Sequence, residues 1–221
     1  MFRLSQSARL RVRELGPGQH ICSFYDLQAE LIGISSEYIQ CGLQRRERCL
    51  YVGDAGLLAL LERELSAAYV DVDAEIRRGA LILLTKEETY EKAGRFDADA
   101  LQSLLRDAVE DARKAGFEGL RAAGDMTWLL DNVPGSDDVV RYEVDLNAFY
   151  AETGAIGLCL YDRALLQPRM LDAAMRTHPI VLMNDRCCGQ NPYYEAPHLG
   201  FRFPSDSRAA FNERLEGIFS A

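Results

Sequence analysis

The sequence predicts an α/β fold, a three-layer domain with a mostly parallel central sheet flanked by helices. Short apolar runs bounded by turn residues alternate with segments of helical period, as repeated β-α units require. Residues 155–161 form an uninterrupted apolar run, the pattern of a strand covered on both faces. There is no internal repeat and no low-complexity segment to suggest an array or a linker.

The elements follow in order. The loop Gly16-Pro17-Gly18 introduces a first strand at residues 19–25. A helix follows with Leu27, Leu31, Ile34, Tyr38 and Cys41 on one stripe, Asp26 placed to cap its start and Gly42 near its end. Residues 48–53 read as the second strand and 55–68 as a Leu-rich helix. After Asp71-Val72-Asp73 and the turn Arg77-Arg78-Gly79 comes a third strand at 80–84. A long connection leads to a helix at 97–115, with Leu101, Leu104, Leu105, Ala108, Val109 and Ala112 in register. Residues 117–124 are the fourth strand, ending at Asp125-Met126-Thr127-Trp128.

A capped helix begins near Ser136, buries Val139, Tyr142, Leu146, Phe149 and Tyr150, and is closed by Gly154 before the apolar strand. Pro168 opens a short helix ending at Arg176-Thr177-His178, and residues 179–183 are the last parallel strand. Asn191-Pro192-Tyr193-Tyr194, Pro197, Gly200 and Pro204 make an extended connection. Beyond it, Phe211, Leu215, Ile218 and Phe219 fall at helical offsets, so a terminal helix is expected to dock on the domain, with pairing to another subunit as the other reading. The organisation is a basic segment at 1–15, a domain at 16–198 and a C-terminal extension at 199–221.

With 221 residues, 48% of them hydrophobic, the chain can bury the core of one large domain. A net charge of −9 and a pI near 4.9 disfavour a surface that tracks nucleic-acid phosphates. The exception is the N-terminal segment with Arg3, Arg9, Arg11 and Arg13, read either as a binding arm or as a lead-in packed loosely on the domain. No apolar run of about 18 residues spans a membrane and no secretory signal opens the chain, so a cytoplasmic protein is expected. The six cysteines, at 22, 41, 49, 159, 187 and 188, lack the spacing of a zinc finger or ribbon. Cys22, Cys49 and Cys159 lie in strands as small hydrophobes; the vicinal pair Cys187-Cys188 suggests either redox chemistry or a strand end and turn.

Residues 20–54 resemble the strand, helix and strand that open a RecA-like nucleotide-binding domain, yet the P-loop is absent. That loop needs glycines to bring backbone N–H groups onto phosphate and a Lys to neutralise charge. Here the turn is Tyr25-Asp26-Leu27-Gln28-Ala29-Glu30, with no Gly, no Lys and two carboxylates.

The run His20-Ile21-Cys22-x-Phe24-Tyr25, the strand Cys49-Leu50-Tyr51-Val52, the motif Gly119-Leu120-Arg121-x-x-Gly124-Asp125-Met126-x-Trp128, Tyr161-Asp162, His178-Pro179 and Asn191-Pro192-Tyr193-Tyr194 together resemble the MEDS family, the methanogen and methylotroph DcmR-like sensory domains related to KaiC/RecA-like ATPases. The resemblance spans about residues 15–198. It implies a RecA/KaiC-like input domain that binds a small organic molecule, a hydrocarbon derivative or one-carbon compound, and passes a signal to kinases or transcription regulators. No output domain is recognisable in the chain, so the signal is expected to pass in trans to a protein partner, with a homodimer as a further option.

Ligands of open parallel sheets bind outside the C-terminal strand ends. Tyr25, Asp125, Trp128, Tyr161 and Arg163 are therefore the candidate ligand-binding residues: aromatic walls, one carboxylate and one cation. Trp128 reads equally as ligand wall and as a core residue filling the space of a lost nucleotide. Asp125 stands where related ATPases keep a metal-associated carboxylate, or else bonds Thr127 locally. His20 reads as a satisfied structural histidine and His178 as a cation at a helix C-terminus. Three scattered histidines without H-x-x-H spacing predict no dedicated metal site, and no cofactor is expected. No G-x-S-x-G elbow and no nucleophile beside a base is found, so the expectation is a non-catalytic sensor. The alternatives are a degenerate nucleotide binder or ATPase, and an interaction module whose pocket is filled by its own side chains.

Overall fold

The computed structural model describes residues 5–131, 133–183, 186–195 and 207–219. Its sheet comprises β1 (His20–Tyr25), β2 (Arg48–Gly53), β3 (Leu81–Thr85), β4 (Leu120–Asp125), β5 (Ile156–Asp162), β6 (Ile180–Met183) and β7 (Arg186–Cys188). The strands lie in the order β3-β2-β4-β5-β1-β6-β7, the first six parallel and β7 antiparallel to β6. One face is covered by α1 (Gln6–Glu14), α2 (Gln28–Gln44), α3 (Ala55–Ala67) and α4 (Val72–Arg77). The other is covered by α5 (Ala98–Lys114), α6 (Val139–Thr153), α7 (Pro168–Thr177) and α8 (Arg208–Ile218). This is the three-layer arrangement the alternating pattern predicts.

Because successive side chains of a strand point to opposite faces, each strand feeds two cores. In β1, Ile21 and Tyr25 pack under α2, whereas Cys22 and Phe24 face α6 to α8. The terminal helix docks on its own domain: Phe211 and Leu215 are fully buried, and Phe211 meets Phe24 edge-on at 5.2 Å. The connection through Pro197, Gly200 and Pro204 lies outside the described residues, as do the side chains of Cys187 and Cys188 in β7.

Four local readings need correction. The basic N-terminal segment forms α1, capped by Ser5 and fixed on α2 by Ala8 and Val12, so it is not loosely packed. Two of its arginines reach the domain, Arg13 donating to the buried Glu37 at 2.6 Å and Arg9 lying 3.7 Å from the same carboxylate, while Arg11 pairs with Glu14 within α1 and Arg3 lies outside the described residues. Asp26 does not cap α2. Glu30 does, its Oε2 accepting from the N–H groups of Asp26 at 2.8 Å and Leu27 at 3.2 Å, and Leu27 stays exposed at the end of an otherwise buried stripe. Finally, the turn after Asp71 is the short helix α4, with Asp71 as its cap.

Candidate functional site

At the C-terminal edge of the sheet, where open parallel sheets bind their ligands, Asp26, Glu30, Asp54 and Asp162 are engaged by the chain's own donors. Backbone N–H groups at a helix start bind phosphate because the dipole and the unpaired donors favour an anion there. The Glu30 carboxylate is that anion here. Asp26 forms a paired contact with the Arg163 guanidinium. Asp54 caps α3 through the Leu57 N–H at 2.8 Å, and Asp162 accepts from Ala164 and Leu165 in the turn after β5.

Tyr25 and Asp125 meet on the α2 face. The Tyr25 hydroxyl donates to Asp125 Oδ1 at 2.8 Å and the Thr127 hydroxyl bonds the other oxygen. Burial raises the Asp125 carboxyl above the usual range, against the lowering effect of those two hydroxyls. The local bond from Thr127 is one of the two roles the sequence offered for this residue.

Trp128 lies on the opposite face, in the 3-10 turn that follows β4. It is 1% exposed and stacked between Tyr90 at 4.9 Å and Phe96 at 5.0 Å, and its indole N–H has no acceptor among the described residues. Tyr90 in turn walls a mainly apolar cavity of about 30 Å³ between β2, β4, β5 and the helices α5 and α6. By this measure one water needs roughly 10–15 Å³, so the space suits two waters or one small organic molecule. Two glycines let rings reach the sheet there: a Cβ on Gly124 would strike the Tyr90 hydroxyl, and one on Gly157 would strike the Tyr150 ring.

The polar part of the cavity wall is Thr89, Glu143 and Cys159, and Glu143 opens onto a second, 10 Å³ cavity beside α7. Glu143 is 3% exposed in the middle of the apolar stripe of α6. Tyr161 donates to its Oε1 at 3.0 Å. Its Oε2 faces His20 Nε2 at 3.3 Å, His178 Nε2 at 3.4 Å and Cys159 Sγ at 3.7 Å. Burial works against this carboxylate, but His178 and His20 beside it prevail and hold it below the usual range. Burial, with His178 nearby, pushes His20 down to about 4, so its imidazole is neutral near pH 7. The Cys159 and Tyr161 groups are pushed well up, by burial first and then by the Glu143 charge.

The five candidate residues therefore do not share one pocket. Tyr25 and Asp125 join on one face, Trp128 and Tyr161 lie on the other, and Arg163 pairs with Asp26 at the rim. His20 is buried and hydrogen-bonded to Asn147, as a structural histidine is, and its ring lies 3.9 Å from that of His178, which is fully buried at the end of α7. Asn191 of the Asn-Pro-Tyr-Tyr segment donates to the carbonyls of Met175 and His178, fixing the end of α7. Sequence reasoning missed Glu143 and Asn147. The signal was an acidic residue between Tyr142 and Leu146 on the buried stripe, where an unpaired carboxylate is costly.

Comparison with known proteins accords with this geometry. The family model for MEDS, the MEthanogen/methylotroph, DcmR Sensory domain, matches residues 19–179. Among solved structures, a KaiC-like protein from the hyperthermophilic archaeon Pyrococcus horikoshii superposes with a TM-score of 0.54 at 12% identity, over 76% of this chain and 71% of that one. At that identity the likeness shows the fold, a KaiC/RecA-like α/β domain. No curated protein sequence matches the chain.

Proposed function

The chain belongs to the MEDS family, and from that premise of a sensory or regulatory domain we propose a non-catalytic receptor for a small organic molecule, held in the cavity between the sheet and α5 and α6. The observation that carries this reading is the cavity itself, about 30 Å³ with apolar walls and one polar side at Glu143 and Cys159. A pocket of that size and character selects a one-carbon or short hydrocarbon derivative with a single polar group. Tyr90 links the cavity to Trp128 by stacking, and Met126 lines it just beyond Asp125, so occupancy is felt at the C-terminal strand ends. There Tyr25, Asp125 and Arg163 form the rim through which the signal leaves, in trans, to a kinase or transcription regulator. The absence of catalysis is part of the proposal: the thiol nearest the cavity is buried, and burial favours its uncharged form.

The reading is tested by thermal shift and native mass spectrometry with one-carbon and short-chain hydrocarbon derivatives, beside Mg-ATP. A ligand at a hundred times its Kd stabilises the native state by about 2.7 kcal/mol. Ala122→Leu, which fills the cavity, should abolish the shift while the domain remains folded. Stabilisation by Mg-ATP with saturable hydrolysis would instead favour a degenerate nucleotide enzyme. The Glu30 carboxylate on the amides at the start of α2 argues against that outcome.

A further inference from the structure

The ligand reading takes Glu143 and Cys159 only as the polar side of the cavity, whereas with His20 and His178 they form a donor cluster of their own. Four side chains from β1, β5, α6 and the end of α7 bring His20, Glu143, Cys159 and His178 together, each buried, with one ligand atom apiece lying within 4.8 Å of the others. Both imidazoles have their Nδ1 side committed. Asn147 Nδ2 donates to the carbonyls of Glu143, Val144 and Thr177, which leaves its Oδ1 to accept from His20 Nδ1–H at 3.2 Å. His178 Nδ1 lies 2.7 Å from the Ala174 carbonyl, which can only accept. In neutral rings both Nε2 atoms are then lone pairs, and both face a carboxylate oxygen. His178 Nε2 is fully buried and makes no hydrogen bond among the described residues. Converging lone pairs of this kind call for a cation between them.

The spacing fits one. Ligands at ~2.0–2.1 Å (N, O) and ~2.3 Å (S) on a tetrahedron are separated from each other by roughly 3.3–3.6 Å. Four of the six edges lie close to this, 3.3 Å and 3.4 Å from Glu143 Oε2 to the two Nε2 atoms, 3.5 Å from Cys159 Sγ to His20 Nε2 and 3.7 Å from Cys159 Sγ to Glu143 Oε2, and the other two, from His178 Nε2 to His20 Nε2 and to Cys159 Sγ, lie within 4.8 Å.

We propose that His20 Nε2, His178 Nε2, Glu143 Oε2 and Cys159 Sγ bind one Zn²⁺ tetrahedrally, as a closed structural site in the wall of the cavity. Two imidazoles, a carboxylate and a thiolate are a borderline donor set that suits zinc in four-fold coordination. Metal binding forms the Zn–S bond and releases the Cys159 S–H proton to solvent, while the imidazoles enter neutral and Glu143 as the carboxylate. The charges sum to zero, two positive on zinc against one each on the thiolate and carboxylate, which suits a buried site. Asn147, the Ala174 carbonyl and the Tyr161 hydroxyl are the outer partners that fix the ligands' orientation. The site stands whether or not the cavity binds an organic molecule.

The test uses the full chain purified without a polyhistidine tag. Native mass spectrometry should show one zinc per chain. After chelation under native conditions, Zn²⁺ should rebind at one equivalent and raise the Tm. Co²⁺ should give the visible bands of a tetrahedral site with a thiolate-to-cobalt charge-transfer band. Cys159→Ser should remove that charge-transfer band, and Cys41→Ser, a buried thiol on the other face, should keep it. Asn147→Leu should weaken Zn²⁺ roughly 10- to 100-fold. Failure of the folded apoprotein to take up Zn²⁺ or Co²⁺ would overturn the proposal and leave a proton as the shared cation. A cobalt spectrum lacking the thiolate band, and unchanged in Cys159→Ser, would overturn this ligand set. Both results can be read independently of any organic ligand.

Discussion

The Tyr25 hydroxyl donates to Asp125 Oδ1 at 2.8 Å and so ties β1 to β4 across the end of β5, which runs between them. The bond holds a buried carboxyl in the region a bound nucleotide would occupy in a P-loop protein of this fold, and burial raises the pKa of that carboxyl.

A raised folded-state pKa gives stability that is fully present below the unfolded value, near 3.8, and is lost as pH rises through the folded value. Asp125→Asn keeps an acceptor for Tyr25 and removes the buried charge. Urea denaturation should find the variant at least as stable as the parent at pH 7, with a shallower fall in stability from pH 4 upward. A loss above about 1 kcal/mol at pH 7 would show that the charge itself is needed.

Trp128 is the only tryptophan, so its fluorescence reports one place. Packed between Tyr90 and Phe96, it should emit in the blue when native and shift to the red on unfolding. Trp128→Ala should cost about 3–5 kcal/mol, the usual penalty for emptying a packed aromatic position. A loss below 1 kcal/mol would mean that the stack is not part of the core.

Gly124→Ala places a methyl group against the Tyr90 hydroxyl. The ring must move, at a cost of about 1–3 kcal/mol, and its stacking on Trp128 moves with it. A changed native emission maximum with the fold retained is expected. An unchanged spectrum and unchanged stability would contradict the packing described.

Phe211→Ala tests α8. Phe211 is fully buried against Phe24, so truncation should cost about 3–5 kcal/mol in chemical denaturation. A peripheral tail would lose no more than about 0.5 kcal/mol.

The layers were legible because strand and helix periodicities are local. Runs such as 48–53 and the stripe Leu101, Leu105, Val109 need no tertiary information. The terminal helix was legible from Phe211, Leu215 and Ile218 for the same reason. The site was legible only in part. Tyr25 and Asp125 were both nominated from strand ends, but their direct bond depends on strand order, which the sequence does not carry. His20, Glu143, Cys159 and His178 come from four elements far apart in the chain, so no spacing rule applies to them. Asp26 was mistaken for the α2 cap because two acidic residues compete at that turn, and Arg163, distant in sequence, decides which is free.

The Glu30 contact also has a kinetic meaning. Its carboxylate is tethered a few bonds from the two amides it serves. It therefore competes at an effective concentration that a diffusing phosphate, at roughly millimolar levels, does not approach. A passing nucleotide meets an incumbent, and swings in a cell's energy charge are expected to leave this end of the domain untouched.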